Sequence, residues 1–213
     1  MTSETFDQPR SVDIGGLAIT YDGRVLEPRP WTALQGSWAA EVLASEPGDA
    51  AEGAILELCT GAGHIGLVAA VESGRALVAV DLDPVACSYA RRNAEAAGVA
   101  DRTDVLEGPM DAVLRDDETF AIVVADPPWV TSAEVGCFPE DPLLAIDGGV
   151  DGLEVAMLCV AVAGRHLELG GSLLLQLGDD QQADMVLSRT GGAWRDAGRR
   201  AGTGGIVVRL VKA

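Results

Sequence analysis

Two short stretches of the sequence combine residues whose types and spacing could do chemistry. The first, ELCTGAGHIG (57–66), contains the pattern G-x-G-x-x-G, and Asp81 follows Gly61 by 20 residues. Glycines in a turn allow a close backbone approach to a ligand, and an acid at the end of the next strand can accept hydrogen bonds from both ribose hydroxyls. This spacing predicts a nucleoside cofactor, and it fits NAD and S-adenosylmethionine (SAM) equally.

The second stretch, ADPPWV, follows the apolar run FAIVV (120–124). Pro127 and Pro128 donate no backbone hydrogen bonds and have fixed φ angles, so the turn is stiff. Two acceptors aimed at the N–H groups of a planar NH2, the Asp126 side chain and the Pro127 carbonyl, would pull its nitrogen toward tetrahedral geometry. The Trp129 ring offers such a group a flat face. This clamp suits methyl transfer from a sulfonium to nitrogen and has no use in NAD chemistry, so the sequence favours SAM.

Alternating strand and helix patterns surround both stretches. They predict a doubly wound α/β fold with a mostly parallel sheet and helices on both faces, in which ligands bind at the carboxyl ends of the strands. A hairpin is predicted over 14–25, with its turn at Asp22-Gly23. The predicted strands are 54–59, 76–81, 103–108, 120–126, 171–178 and 204–212, and the predicted helices are 32–44, 65–72, 84–98, 111–116, 153–167 and 181–191.

One domain is expected for 213 residues. Residues 1–12 are predicted to be a flexible N-terminus and 13–213 a single domain. Within it, 13–50 form a hairpin and a helix that cover the site, and 51–213 form the cofactor-binding core.

The charge and composition narrow the partners and the compartment. The net charge of −18 disfavours nucleic acids and anionic membranes. The four cysteines are scattered without the clustering that a zinc site needs, so no metal is expected. The N-terminus has no apolar signal segment, and no apolar run approaches 18 residues. These features predict a cytoplasmic protein.

An ordered set of motifs covers most of the chain. ELCTGAGHIGL (57–67) is similar to D-L-G-T-G-S-G-x-I-A-L, and DPPWV (126–130) to N-P-P-Y-I. EDPLLAIDGGVDGL (140–153) resembles E-P-x-x-A-L-x-G-G-x-D-G-L. VLEPRPWT (25–32) resembles V-L-I-P-R-P-x-T, and LQLGDDQ (175–181) resembles L-E-I-G-x-x-Q. Together the motifs resemble the HemK/PrmC-like protein glutamine N5-methyltransferases, which are class I SAM-dependent methyltransferases.

The resemblance implies the Rossmann-like class I methyltransferase fold with a seven-stranded sheet. It also implies SAM as methyl donor, with S-adenosyl-L-homocysteine as product, and a protein glutamine as acceptor, as in translation release factors. The implied catalytic residues are Asp126, Pro127, Pro128 and Trp129. The implied cofactor contacts are Glu57, Cys59, Thr60, Gly61, Ala62, Gly63, Asp81, Leu82, Met110 and Asp126. The implied substrate entrance is Arg29, Pro30, Trp31 and Thr32.

Departures from the family pattern leave other acceptors open. Asp126 replaces Asn, and an ionised carboxylate accepts N–H bonds but cannot donate. DPPW also occurs in adenine-N6 methyltransferases, so an exocyclic amine of RNA, DNA or a metabolite is an alternative acceptor. A non-catalytic SAM-binding subunit is a further alternative. GPMD (108–111) stands where the family usually has G-D followed by a large apolar residue. The helical N-terminal domain of bacterial members is expected to be absent, and short members of the family work with a partner subunit.

Overall fold

A seven-stranded sheet with strand order β5-β4-β3-β6-β7-β9-β8 forms the centre of the computed structural model, which describes residues 8–45 and 53–213. The strands are β1 (Arg10–Ile14), β2 (Leu17–Tyr21), β3 (Ile55–Leu58), β4 (Leu77–Asp81), β5 (Thr103–Glu107), β6 (Ile122–Ala125), β7 (Ser172–Leu177), β8 (Trp194–Ala201) and β9 (Ile206–Lys212). The helices are α1 (Ala33–Ser45), α2 (His64–Ser73), α3 (Pro84–Ala96), α4 (Leu143–Ile146), α5 (Glu154–His166) and α6 (Asp180–Arg189).

The middle strands are continuous apolar runs because both faces of the sheet are covered. Every residue of β3, β6 and β7 is buried, as expected for strands of a parallel sheet between two helical layers. One core contains side chains from α1, α2 and α3, and the other contains side chains from α5 and α6. The predicted α/β architecture with helices on both faces is therefore confirmed.

The strand order brings the two chemical stretches together. β6 pairs in parallel with β3, with Ala125 opposite Leu58, as the predicted topology requires. β4 lies on the other side of β3, also in parallel. The loops after β3, β4 and β6 therefore leave the same edge of the sheet, where doubly wound folds bind ligands.

The N-terminal hairpin lies earlier in the chain than predicted. β1 pairs with β2 and begins at Arg10, so residues 10–12 are strand; residues 1–7 lie outside the described residues. The hairpin turn is Gly15-Gly16, where both φ angles are positive, as a two-residue type I′ turn requires. A turn does form at residues 22–25, where the Val25 amide donates to the Asp22 carbonyl at 3.3 Å. It follows β2, so its prediction as the hairpin turn was wrong.

One predicted helix was wrong, and one strand was missed. Residues 111–116 form turns and bends, not a helix. The strand β8 was missed because WRDAGRRA is charged and contains a glycine, and it lies at the sheet edge with an irregularity between Asp196 and Arg199, where polar residues are common. Within residues 8–45 and 53–213, no helix is long and apolar enough to span a membrane.

Candidate active site

A cavity of about 800 Å³ opens at the carboxyl edge of the sheet, a volume typical of small-molecule sites. Most of the residues predicted for the site line it. They are Arg29, Pro30, Trp31, Thr32, Cys59, Thr60, Gly61, Ala62, Asp81, Leu82, Met110, Asp126, Pro127, Pro128 and Trp129. Residues far apart in the sequence therefore share one wall, because parallel strands end at the same edge.

Glu57 and Gly63 are not among the residues that line the cavity, and their role as cofactor contacts stays a prediction. Glu57 is 2% exposed and accepts hydrogen bonds from the Thr60 hydroxyl and from the Gly66 amide, the latter at 2.8 Å. Burial raises its pKa to about 7, although both hydrogen bonds oppose the rise. Through these hydrogen bonds Glu57 stabilises the glycine turn (residues 60–66).

Asp81 ties the end of β4 to the glycine turn. Its Oδ2 accepts a hydrogen bond from the Gly61 amide at 2.7 Å, and its Oδ1 accepts one from the Asp83 amide at 2.9 Å. Burial raises the pKa of this carboxyl, and the backbone hydrogen bonds oppose the rise. Each carboxylate oxygen has a further lone pair, so Asp81 can also accept hydrogen bonds from a ligand in the cavity.

Cys59 is the non-glycine residue with positive φ in the described chain, at φ 59°. It stands where the similar motif D-L-G-T-G has glycine, and a side chain in this region is strained. Contact with the Cys159 thiol and burial raise the pKa of the Cys59 thiol well above its usual range. Cys59 therefore remains a protonated thiol at neutral pH and contributes shape rather than a nucleophile.

The strain at Cys59 makes a stability prediction. Because a β-branched side chain is poorly tolerated at positive φ, Cys59→Val should lower the free energy of unfolding by about 1–3 kcal/mol, whereas Cys59→Gly should be tolerated. Urea denaturation measures both, with Cys159→Val in α5 as the control. Equal stability of the Val and Gly variants at position 59 would contradict the strain.

Asn93 connects the hairpin to the glycine turn and was missed in the sequence. Its amide donates to the Thr20 carbonyl at 2.9 Å and to the Ala62 carbonyl at 2.8 Å, and its Oδ1 accepts from the Thr20 amide at 2.9 Å. Asn93 is 1% exposed, and it shares the buried face of α3 with alanines. A polar residue on an apolar helix face was the signal that could have identified it.

Asp126 and Pro127 present acceptors at the end of β6, as predicted. Burial raises the pKa of Asp126 to about 7, although the neighbouring Gln176 side chain opposes the rise. Among the described residues, no donor is hydrogen-bonded to the Pro127 carbonyl. Two acceptors on one stiff loop thus remain able to receive N–H groups.

Trp129 is fixed in place by α6 and the end of β7. The Gln182 side chain donates to the Trp129 carbonyl at 2.9 Å and accepts from the Gly178 amide at 2.8 Å. A Cβ at Gly178 would lie 2.8 Å from the indole Cε3, so the ring edge packs against this glycine. The motif resemblance ended at residue 181, one residue before this side chain.

Two residues of the predicted substrate entrance, Thr32 and Arg29, form polar contacts with their surroundings. Thr32 donates its hydroxyl proton to the Arg29 carbonyl at 2.6 Å, so His64 Nε2, 2.9 Å from the same oxygen, must be the donor in that pair. Burial lowers the pKa of His64 to about 4, so His64 is neutral at neutral pH. Arg29 forms an ion pair with Asp141 at 3.6 Å.

Trp31 braces the turn between β8 and β9. A Cβ at Gly202 would lie 2.0 Å from the indole Cε3, so only glycine allows this contact. Thr203 and Gly204 of the same turn line the cavity. This wall was missed because β8 was missed, and Phe138, Leu144 and Gln176 are further lining residues to which sequence reasoning gave no role.

Comparisons with known proteins agree with this architecture. The family model described as Methyltransferase small domain matches residues 37–138. The release factor glutamine methyltransferase of Moorella thermoacetica is 39% identical over 148 residues, or 67% of this chain and 52% of that protein. The ribosomal protein uL3 glutamine methyltransferase of Bradyrhizobium diazoefficiens is 32% identical over 174 residues, or 76% of this chain and 54% of that protein. The chain spans about half the length of these curated relatives.

A solved structure gives the same fold. The hMettl16 catalytic domain, in complex with a MAT2A 3'UTR hairpin, aligns with a TM-score of 0.71 at 16% identity over 92% of this chain and 76% of that chain. At this identity the likeness shows the fold alone. Sheet order and structural likeness define a class I methyltransferase fold. Within that class, the chain is similar to the release factor and uL3 glutamine methyltransferases over two thirds to three quarters of its own length.

Proposed function

We propose that this protein is a SAM-dependent N-methyltransferase that methylates a glutamine side-chain amide in a protein of the translation apparatus. The observation that carries the proposal is the pair of acceptors, Asp126 and the Pro127 carbonyl, on the wall of a cavity that the glycine turn and Asp81 also line. This arrangement supports a clamp for an NH2 group beside a site for a nucleoside.

The described residues fit SAM as the cofactor. Gly61 has φ 53°, so the turn adopts a backbone that favours glycine. Asp81 can accept hydrogen bonds from the ribose, and Leu82 and Met110 supply apolar surface for the adenine; all three line the cavity. When bound, SAM supplies an electrophilic methyl group on a sulfonium.

The clamp residues prepare the acceptor nitrogen for displacement. Asp126 and the Pro127 carbonyl each accept one N–H, which weakens the conjugation of the amide lone pair. The N–C bond forms as the S–C bond breaks, and the proton leaving the nitrogen can pass to the Asp126 carboxylate. Because the pKa of Asp126 is about 7, this group is poised to hold a proton near neutral pH.

The names of the relatives support a protein acceptor, since they are glutamine methyltransferases of release factors and of ribosomal protein uL3. The net charge of −18 is unfavourable for binding a nucleic acid backbone. Residues 29–32 line the cavity mouth, which supports a covering role for the segment 13–50 in a domain spanning 13–213. We place the reaction in the cytoplasm, where translation proteins are made.

An exocyclic amine of a nucleic acid base is the second candidate acceptor. The observation that favours it is Asp126 itself, because DPPW is shared with adenine-N6 methyltransferases. Ionic strength separates the two acceptors. Transfer to a nucleic acid should fall steeply as salt rises, whereas transfer to a protein amide should respond weakly.

Transfer of a labelled methyl group from SAM into a dialysed cell extract tests the proposal. After the reaction, the products are divided between protease and nuclease. Label released by protease and resistant to nuclease is the expected result. Label released by nuclease would establish base methylation instead. The absence of label with intact SAM binding would indicate either a small-molecule acceptor that dialysis removed or a silent subunit.

The pKa of Asp126 predicts an acidic limb in the pH profile. Only the ionised carboxylate can accept a hydrogen bond from the amide N–H and then take up the proton that leaves the nitrogen. The value of kcat/KM should therefore fall as pH drops through about 7. The profile of kcat/KM reports ionisations of the free enzyme, and initial rates across neutral pH measure it. Glu57 titrates in the same range, so Asp126→Asn is the control. A limb that persists in Asp126→Asn would assign it to another group.

A further inference from the structure

The side chains of Asp126 and Gln176 leave neighbouring strands at the same edge of the sheet. β6 and β7 pair in parallel with Ala125 opposite Leu175, so the next residue of each strand stands beside the other. Both residues line the cavity, and the Gln176 side chain lowers the pKa of Asp126 against the rise that burial causes. Below them, Gln35 donates to the Ala125 carbonyl at 3.0 Å and to the Leu174 carbonyl at 2.9 Å. The strand ends are thus held at a fixed separation.

The chemistry of the two groups decides which atom of Gln176 faces the acid. An ionised carboxylate only accepts hydrogen bonds, so Nε2 is the atom of Gln176 that can donate to Asp126. Gln176 is 4% exposed, and its Oε1 has no hydrogen-bond partner among the described residues. A buried amide that leaves its oxygen unpaired is unfavourable for stability, so we expect this side chain to have a role beyond packing.

The two positions depart together from the motifs that the chain resembles. Asp126 stands where N-P-P-Y has Asn, and Gln176 stands where L-E-I-G has Glu. The contacting pair therefore keeps one amide and one carboxylate, with their positions exchanged. A change at position 126 alone would set two carboxylates against each other, and like charges in contact disfavour ionisation of both.

We propose that Asp126 and Gln176 form an exchanged carboxylate–amide pair, in which Gln176 is the positioning residue of the acceptor clamp. This inference rests on the proposed function. Gln176 holds one carboxylate oxygen of Asp126 and leaves the other for the nitrogen to be methylated. The exchange places the negative charge at position 126, beside the acceptor, instead of at position 176 on the neighbouring strand.

The exchange also defines the class of acceptor. A carboxylate at position 126 selects a neutral planar NH2 that donates an N–H and gains positive charge as the methyl group arrives. It rejects an acceptor that needs a hydrogen-bond donor at this point, because the ionised group has none. Gln176 therefore contributes to specificity without contacting the substrate.

A double-mutant cycle tests the pair. Gln176→Glu alone should lower kcat/KM for the acceptor by about a hundredfold, because two adjacent carboxylates share one proton, and it should move the acidic limb to higher pH. Asp126→Asn alone should also lower kcat. The double variant Asp126→Asn/Gln176→Glu should recover about tenfold or more over the worse single variant. SAM affinity should stay constant throughout.

Matched controls separate the pair from general effects of charge. Gln8→Glu and Asp116→Asn make the same chemical changes at exposed positions outside the cavity and should leave kcat/KM unchanged. If the losses of kcat/KM in the two single variants multiply in the double variant, with no recovery, the pairing is overturned.

A readout without turnover keeps this inference distinct from the proposed function. NMR titration of isotope-labelled aspartate carboxyls in the unliganded protein should show the Asp126 midpoint moving to higher pH in Gln176→Glu and not in Gln8→Glu. An unchanged midpoint would overturn the pairing even if the enzyme is active. If the wild-type protein methylates no amide while the midpoint moves, the proposed function fails and the contact stands.

Discussion

Asp126→Ala is expected to lower kcat for methyl transfer roughly a hundred- to a thousandfold and to leave SAM affinity unchanged. In the proposed mechanism the carboxylate contacts the acceptor N–H and not the ribose, so its loss removes the group that prepares the nitrogen. Turnover by methyl-transfer assay and SAM affinity by calorimetry measure the two effects. Asp81→Ala should show the opposite pattern, with weakened SAM binding. Unchanged turnover in Asp126→Ala would remove Asp126 from the mechanism.

Stability gives an independent check on Asp126. Its pKa is about 7 in the folded protein against 3.8 ordinarily, so its charged form opposes folding above about pH 7 and has no such effect at a pH below both values. Asp126→Ala should therefore be more stable than the wild type at alkaline pH, and this gain should shrink as pH falls. A variant that loses activity and stability together at alkaline pH would indicate misfolding.

Gly66→Ala is expected to have the second large effect, on both stability and SAM binding. A Cβ at Gly66 would lie 2.5 Å from Glu57 Oε2 and 2.9 Å from Leu77 Cδ1. The added methyl group must displace the carboxylate that holds the glycine turn. We expect the free energy of unfolding to fall by about 2–3 kcal/mol and SAM affinity to be lost, measured by urea denaturation and calorimetry.

Two variants test the cause of that loss. Gly164→Ala makes the same change in α5, where a Cβ would be 3.8 Å from its nearest neighbour, and it should stabilise the protein by about 0.5–1 kcal/mol. Glu57→Asp combined with Gly66→Ala matches the Asp and Ala of the similar motif and should recover most of the stability. If Gly66→Ala alone is as stable as the wild type, the contact between the added Cβ and Glu57 does not limit stability.

The sequence predicted the fold well where burial dictates residue type. β3, β6 and β7 are buried on both faces, so their apolar runs identified them, and their order followed from the alternation with helices. The turn glycines, Asp81 and the DPPW loop were predicted for the same site because parallel strands end at one edge. The edge strand β8 is charged and irregular, so it gave no such pattern.

The parts of the site that sequence reasoning missed are contacts between distant polar residues. Asn93 binds both the hairpin and the glycine turn, and Gln182 binds Trp129 from α6. No local pattern shows these partners, because each depends on tertiary packing. Glu57 was assigned to the cofactor by motif alone, whereas its burial and its hydrogen bond to Gly66 place it beneath the turn.

Tandem mass spectrometry of a release factor incubated with the purified protein and SAM tests the central claim most directly. We expect one added methyl group on the side-chain nitrogen of a glutamine, present with the wild-type protein and absent with Asp126→Ala. A methyl group on a lysine, on a carboxylate oxygen or on another atom type would contradict the amide clamp.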